Sequence, residues 1–511
     1  MNKIKKHHNI IIIGSGLGGL VSGNLLAKKG HKVTIFESHS SLGGCTSGFY
    51  RKGFYFESGT LSFECSPSVF KVMEDIGVLE KIPFVKHEKR WVSQNLDSPA
   101  DSYQDLKDIL YSTFSSERKK LDRYFSQIDK MYQAVKPFFQ KPIPTLYDSY
   151  DSSEFFMSIL SLIPHEIGFP RMYKKYGDMS IEEFNAEFFE KDSKLYKLLT
   201  QIGYNNMGAL VFGGMVPALL DDYWTVYGGM QLWADILAEN FQKLGGELKL
   251  NSYVDKILTR DGVAVGIRSK ETTFEADYVV SACDYKKTFL KLIDNKSLIP
   301  LDQQKKIKQA KVSVGMSTVY LGLNISSVKL KEYMKTAFVL FSNLDKKKNL
   351  DNCEDLDFLR ENLLFVYSPS MMNPGLAPNG KSSLMIQAPT SAELLPTWKD
   401  KNKVEYKKFK EKIKEDLIKQ VEFIIPNLRN LIEFDDAATP LTYERYTHNS
   451  DGATTAWSWD LKEKFFTNPI SVNVKTPVNN LYIGSCWAVQ FGGVPGAILA
   501  AHECSKLVDR Q

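Results

Sequence analysis

Gly14, Gly16 and Gly19 stand in G-x-G-x-x-G spacing directly behind four isoleucines, and Glu37 ends the next apolar run, KVTIFE. These residue types at this spacing can hold a dinucleotide. Gly14 permits a tight turn, Gly16 lets the backbone approach a diphosphate, and Gly19 lets the following helix pack on the strand. The N-terminus of that helix attracts the negative charge. Leu17 and Gly18 complete the loop. A carboxylate at the end of the second strand, Glu37, can take two ribose hydroxyls. The alternative is a glycine turn that packs helix on sheet with nothing bound. The strand before the turn, the helix after it and the acidic strand end together favour the dinucleotide.

The next residues decide between a nicotinamide that comes and goes and a flavin that stays. SHSSLGGCTSGFYRKGFYFESGT carries a second glycine pair, Gly43-Gly44, just after Glu37. A nicotinamide dehydrogenase has no reason for a second phosphate loop there. The stretch resembles the large group of FAD-dependent oxidoreductases that includes amine oxidases and phytoene desaturases, where Glu is followed at short distance by Gly-Gly. The resemblance implies that FAD is the cofactor, gripped by Gly43, Gly44, Cys45 and Thr46, with Gly59 and Thr60 beside it. Cys45 stands where many members have Arg or Lys. YGGMQLWADILAENFQKLGGELKLNSYVDKI resembles the helix and strand before the adenine pocket and implies Val254 on adenine; ADYVVSACD resembles the strand end over the same moiety and implies Ala282 there. NNLYIGSCWAVQFGGVPGAILAAHECSKLV resembles the C-terminal flavin motif, which implies Gly484, Ser485, Gly493, Val494 and Ala497 at the cofactor. Gly484-Ser485 replaces an Asp that many members carry after the strand's glycine. Pro495 suits a first helical turn, and the free N–H groups of that helix would stabilise the anion formed when flavin accepts a hydride.

Three stretches point to a branch. SGFYRKGFYFESGT resembles prolycopene isomerases, retinol saturases and phytoene desaturases. FGGVPGAI resembles the Gly-Gly-Val-Pro-Gly of bacterial carotenoid desaturases. TPLTYERYTHNSDGATTAWSW resembles a region that often precedes it. The resemblance implies hydride exchange between flavin N5 and the C–C or C=C bonds of a long hydrophobic isoprenoid or polyene: desaturation, saturation, or isomerisation without net redox change. Two alternatives stand beside it. One is a flavin amine oxidase, with Trp457, Trp459 and Trp487 as walls of an aromatic cage. The other is a non-catalytic prenyl-lipid-binding protein of GDP-dissociation-inhibitor type. Candidate proton carriers are Glu64, Tyr227, Glu444 and His448, with Trp487 as a further catalytic candidate; a lone histidine is more often a surface or hydrogen-bonding residue. Cys486 falls near the expected flavin, where a buried thiol is usually inert packing.

The elements that must position these residues follow an α/β pattern. Residues 9–37 read as strand, turn, helix and strand, with Leu20, Leu25 and Leu26 on one side of a helix that ends at Gly30. Residues 90–220 read as largely helical. An alternating pattern returns at 225–285, with an Asp-Gly hairpin turn, and 478–508 is again strand, turn and helix. EYKKFKEKIKEDLIKQVEFII sets Phe409, Ile413, Leu417 and Val421 on one helical stripe. The expected architecture is a discontinuous Rossmann-like FAD-binding domain (GR2-type) made of 1–90, 221–300 and 435–511. A mixed α+β substrate domain of 91–220 and 301–434 is inserted into it.

Composition excludes several classes. A chain of 511 residues with 43% hydrophobic and 24% charged residues is an ordinary globular protein. Its net charge of +5 and lack of a basic, aromatic-interleaved stripe argue against nucleic acid. The six cysteines (Cys45, Cys65, Cys283, Cys353, Cys486 and Cys504) contain no C-x-x-C, so neither a metal site nor a disulfide framework is expected, and reduced thiols suit the cytoplasm. MNKIKKHHNIIIIGSG imitates a signal peptide, but its apolar run is too short. MGALVFGGMVPALL at 207–220 is too short to span a bilayer. With FFMSILSLIPHEIGF at 155–169 it could form a tunnel mouth dipping into a membrane, or simply core helix; loose peripheral association is expected from the first reading. The electron partner is left open.

Overall fold

The computed structural model describes residues 7–140, 168–204, 206–342, 356, 359, 362–466 and 471–510. A five-stranded parallel sheet gathers Leu481–Ile483, Tyr278–Ser281, Asn9–Ile13, Lys32–Phe36 and Glu247–Lys249, in that order. Strands from three distant parts of the chain therefore end side by side. Asn9–Ile13 lies third in the row, and Ile10 to Ile13 are buried, as a parallel strand covered on both faces must be.

The helix Leu17–Lys28 departs from the one-sided reading. Every residue from Leu17 to Ala27 is buried. The helix packs against the sheet and against three others: Ser66–Ile76, Met230–Lys243 and the last helix, Gly493–Asp509. A helix enclosed this way cannot show an amphipathic stripe. Its one amide, Asn24, is satisfied: Nδ2 donates to Leu20 O at 2.8 Å and Leu237 O at 2.9 Å, and Oδ1 accepts from Asn240.

A second, seven-stranded sheet runs Ile432–Ala438, Gly315–Leu323, Ser382–Thr390, Leu364–Tyr367, Phe338–Phe341, Lys89–Ser93 and Leu96–Pro99. All neighbours are antiparallel except Phe338–Phe341 with Lys89–Ser93, which run parallel. Position 435 lies inside the first of these strands, so the changeover between sheets comes after Ala438 rather than at 435. One face of this sheet carries the helix Lys403–Val421 through the stripe Phe409, Ile413, Leu417 and Val421.

Helices dominate 103–140, and four more, Gly168–Tyr176, Ile181–Ala186, Lys194–Thr200 and Ala209–Asp221, follow among the described residues. Ala209–Asp221, the apolar stretch, is almost entirely buried and packs against Arg118–Gln140. No helix among the described residues is long and apolar enough to cross a membrane. The stretch 155–169 lies outside the described residues apart from its last two positions, which begin the helix Gly168–Tyr176. The Asp261-Gly262 turn joins Val254–Arg260 to Val263–Ser269, with φ of 50° and 78°, the left-handed pair that suits the twist of a tight hairpin.

Candidate functional site

The cleft begins at the C-terminal edge of the parallel sheet, where α/β folds receive ligands. Gly14 has φ of 98°, and its N–H donates to Phe36 O at 2.8 Å. A Cβ on Gly18 would sit 2.1 Å from Gly484 O, and one on Gly19 would sit 1.9 Å from Gly14 O. Packing alone explains those glycines. Gly16 is different. Its φ of −62° suits any residue, and a Cβ there would meet nothing within 4 Å. Nothing in the folded chain requires glycine at this position, and the space is an open cradle that a side chain would fill.

The second glycine loop lies over the first. Gly43 N donates to Ser15 O at 3.0 Å, and a Cβ on Gly44 would be 3.2 Å from Gly16 Cα. Thr60 N donates to Cys45 O at 2.9 Å, tying Gly59-Thr60 to the same loop. The hairpin Gly48–Arg51/Phe54–Glu57 supports it. Glu57, buried at its end, accepts from Tyr55 Oη and from Met230 N, and burial pushes its carboxyl up to about 8.

Glu37 lines the cleft and is clamped. Oε2 accepts from Ser15 N at 2.9 Å and Ser15 Oγ at 2.7 Å, while Oε1 accepts from Ser38 Oγ and His39 N. The carboxylate thus fixes the first loop from below as well as facing the cleft.

Of the expected cofactor residues, Gly14, Gly16, Leu17, Gly18, Glu37, Gly43, Gly44, Cys45, Thr46, Gly59, Thr60, Val254, Ala282, Ser485, Gly493, Val494 and Ala497 line one cavity of about 870 Å³. Gly19 and Gly484 stand behind its wall and act by close packing. Ser485 Oγ donates to Cys283 O at 3.0 Å. Burial pushes the thiols of Cys45 and Cys486 up to about 11 and about 12, so neither is a thiolate near neutrality.

Several catalytic candidates are corrected. Tyr227 is 47% exposed and lies outside the cavity, on the loop before Met230–Lys243. Glu444 is also outside it, ion-paired with Lys399 at 3.0 Å. His448 lines the cavity but at the Glu37 end: its ring stacks on His39 at 5.9 Å and meets Tyr253 edge-on at 5.5 Å. Trp487 is buried in the wall, with Nε1 donating to Asn449 Oδ1 at 3.3 Å. Trp457 is core, stacked on Phe465 at 3.9 Å, and is no cage wall. Trp459 does line the cavity, in contact with Tyr204 at 4.8 Å, so those two rings leave no slot between them. Glu64 lines it too, and burial pushes its carboxyl up to about 7.

Beyond the glycine loops the cavity opens over one face of the seven-stranded sheet. Register sets Trp91, Leu340, Phe365, Gln387, Thr318 and Ala438 in one row across six strands. Helix residues Met215, Val216, Leu219 and Leu220 form the opposite wall. Gln387 Nε2 donates to Gly59 O at 3.2 Å, joining this floor to the loops, and Tyr443 Oη lies 2.8 Å from Thr318 Oγ1. Sequence reading missed Lys89, Thr318, Tyr320, Gln387 and Tyr443. Alternation within strands could have flagged the first four, but strands buried on both faces suppress it, and Tyr443 lies on the short helix Pro440–Thr447.

A profile of the flavin containing amine oxidoreductase family matches residues 17–508. The 4,4'-diapophytoene desaturase (4,4'-diapolycopene-forming) of Methylomonas sp is 24% identical over 98% of this chain and 95% of its own. The all-trans-retinol 13,14-reductase of Danio rerio is 23% identical over 99% and 87%. Wild-type putrescine oxidase bound to putrescine shares the fold, with a TM-score of 0.64 at 14% identity over 99% of this chain and 100% of that one. The open cradle at Gly16, the overlying Gly43-Gly44 loop and the acidic strand end fit a flavin dinucleotide. The chain belongs to the flavin containing amine oxidoreductase family.

Proposed function

We propose that this chain is an FAD-dependent oxidoreductase acting on C–C or C=C bonds of a long hydrophobic isoprenoid or polyene. The observation that carries the reading is the continuity of one cavity, from the glycine cradle into an apolar chamber between sheet and helix. The desaturase and retinol reductase relatives act, by name, on substrates of that kind. When bound, the flavin supplies reversible hydride exchange.

The chain's own residues do the rest. Gly16 and Gly44 would let a diphosphate approach the backbone, and Glu37, which holds Ser15 in place, would take the ribose hydroxyls. The first turn of Gly493–Asp509 reaches the cavity at Gly493 and Val494, where the positive end of the helix would favour negative charge on a bound ring. The apolar walls exclude water. Glu64 can take or release a proton near neutrality, whereas burial raises Tyr443 and keeps it protonated as a hydrogen-bond donor. The contact between Tyr204 and Trp459 disfavours the amine reading.

The test is product analysis. Holoprotein incubated with a panel of polyenes and with putrescine should gain or lose a hydrogen pair, or change isomer, only in a polyene. Peroxide formed from putrescine, with every polyene unchanged, contradicts the reading. Glu37→Ala should weaken FAD about tenfold or more, because it removes hydrogen bonds to a charged group worth roughly 1.5–3 kcal/mol each; isothermal titration of deflavinated protein measures this. Unchanged affinity would remove Glu37 from the cofactor site.

The protein works in the cytoplasm and touches membranes peripherally, where its hydrophobic substrate resides. Support comes from the net charge of +5 and the apolar chamber. Flotation with anionic liposomes should carry a fraction of the protein upward, and less of it in high salt. Recovery in the bottom fraction alone contradicts it.

A further inference from the structure

A chamber for a pure hydrocarbon has no use for a buried ammonium, yet Lys89 lines this one. The residue is 2% exposed and starts the strand Lys89–Ser93, on the same face as Trp91. Its Nζ donates to Leu220 O at 3.1 Å and more weakly to His87 O at 3.4 Å, and stands 5.8 Å from the Tyr223 ring centre. No carboxylate among the described residues pairs with it directly; Asp101, Asp221 and Asp105 act on it only from farther away. An ammonium has three donors, and two are accounted for. Burying an ammonium with no directly paired carboxylate is costly, so such groups normally complete their donors with a close partner.

The position of Lys89 gives the partner a place. Its strand is three strand spacings from Ser382–Thr390, whose Gln387 touches the glycine loops. At about 4.8 Å per spacing, that is roughly 14 Å. The floor between carries Leu340 and Phe365. A chain lying across it would have apolar contacts along its length and reach Lys89 with its far end. Burial lowers the Lys89 ammonium to about 8, which leaves it charged at neutral pH.

We propose that Lys89 anchors the far end of the substrate, and that this end is a carboxylate on an isoprenoid chain. The inference rests on the polyene reading above and narrows it. A carboxylate takes the remaining donor in a charge-assisted hydrogen bond inside the chamber, which the more distant aspartates do not make. The competing role is purely structural: the ammonium caps the C-terminal carbonyls of Ala209–Asp221.

The experiment compares all-trans-retinoic acid with its methyl ester, matched in length and differing in charge. Binding to the holoprotein is read from the perturbed flavin absorbance. The wild-type protein should bind the acid at least tenfold more tightly than the ester. Lys89→Met keeps the stem and removes the charge, and should abolish that preference; Lys89→Arg should restore part of it. Equal affinities in the wild type overturn the proposal, whatever the variants do. So does a preference that survives in Lys89→Met, or a Lys89→Met protein that loses thermal stability while keeping the preference. If hydrocarbon polyenes still react with the flavin in that case, only the Lys89 anchor fails. If no polyene binds or reacts at all, the polyene reading itself has failed.

Discussion

Gly16→Val yields a folded, colourless protein. The substitution places a branched side chain in the open cradle, where a Cβ meets nothing within 4 Å in the folded chain. The backbone at φ −62° accepts valine without strain. Losing glycine freedom in the unfolded chain stabilises by about 0.4–1 kcal/mol, and weaker helix capping offsets part of it. The apo fold should therefore keep its melting temperature within a few degrees. FAD affinity should fall at least a hundredfold, about 2.7 kcal/mol or more, because the diphosphate and the isopropyl group need the same volume. Gly18→Ala is the contrasting control. Its Cβ would stand 2.1 Å from Gly484 O, so that variant should lose the fold along with the cofactor. Thermal melts and flavin absorbance separate the two. Full flavin content in Gly16→Val would place the diphosphate elsewhere.

Leu219→Trp has the opposite signature. Leu219 lines the chamber from the helix Ala209–Asp221, on the wall facing the sheet. An indole there fills chamber volume and leaves the glycine loops untouched. Because it grows into space rather than into packed core, its effect on stability should fall at or below the usual 1–3 kcal/mol for overpacking. Flavin content should match the wild type, while kcat/KM for a polyene drops roughly thirty- to a hundredfold, about 2–2.7 kcal/mol of lost transition-state stabilisation. Unchanged turnover with a long polyene would show that the chamber is not its path.

These two substitutions also mark what the amino-acid sequence made legible. The glycine spacing and Glu37 located the cradle, because strand, turn and helix there are consecutive. Sequence could not say which glycines serve packing and which serve a ligand. Gly18 and Gly16 differ only in what lies opposite: Gly484 O for one, empty space for the other. The catalytic candidates fared worse. Tyr227 and Glu444 adjoin the right motifs, but their side chains leave on the outer side of a turn and a helix. His448 sits at φ 57° at the end of Pro440–Thr447, and that turn sends its ring to the Glu37 end. Lys89 and Gln387 share one floor only because the strand Lys89–Ser93 pairs with Phe338–Phe341, about 250 residues on, and Tyr443 reaches it from the helix Pro440–Thr447. Local periodicity carries no record of that pairing.

The measurement closest to the central claim is an anaerobic titration of the purified yellow holoprotein, following the visible flavin bands. A polyene with saturated allylic positions should bleach the oxidised flavin, or a conjugated one should restore colour to the chemically reduced flavin, in proportion to polyene added. A flavin that stays unchanged with every polyene in both redox states, yet bleaches with putrescine, would contradict the account.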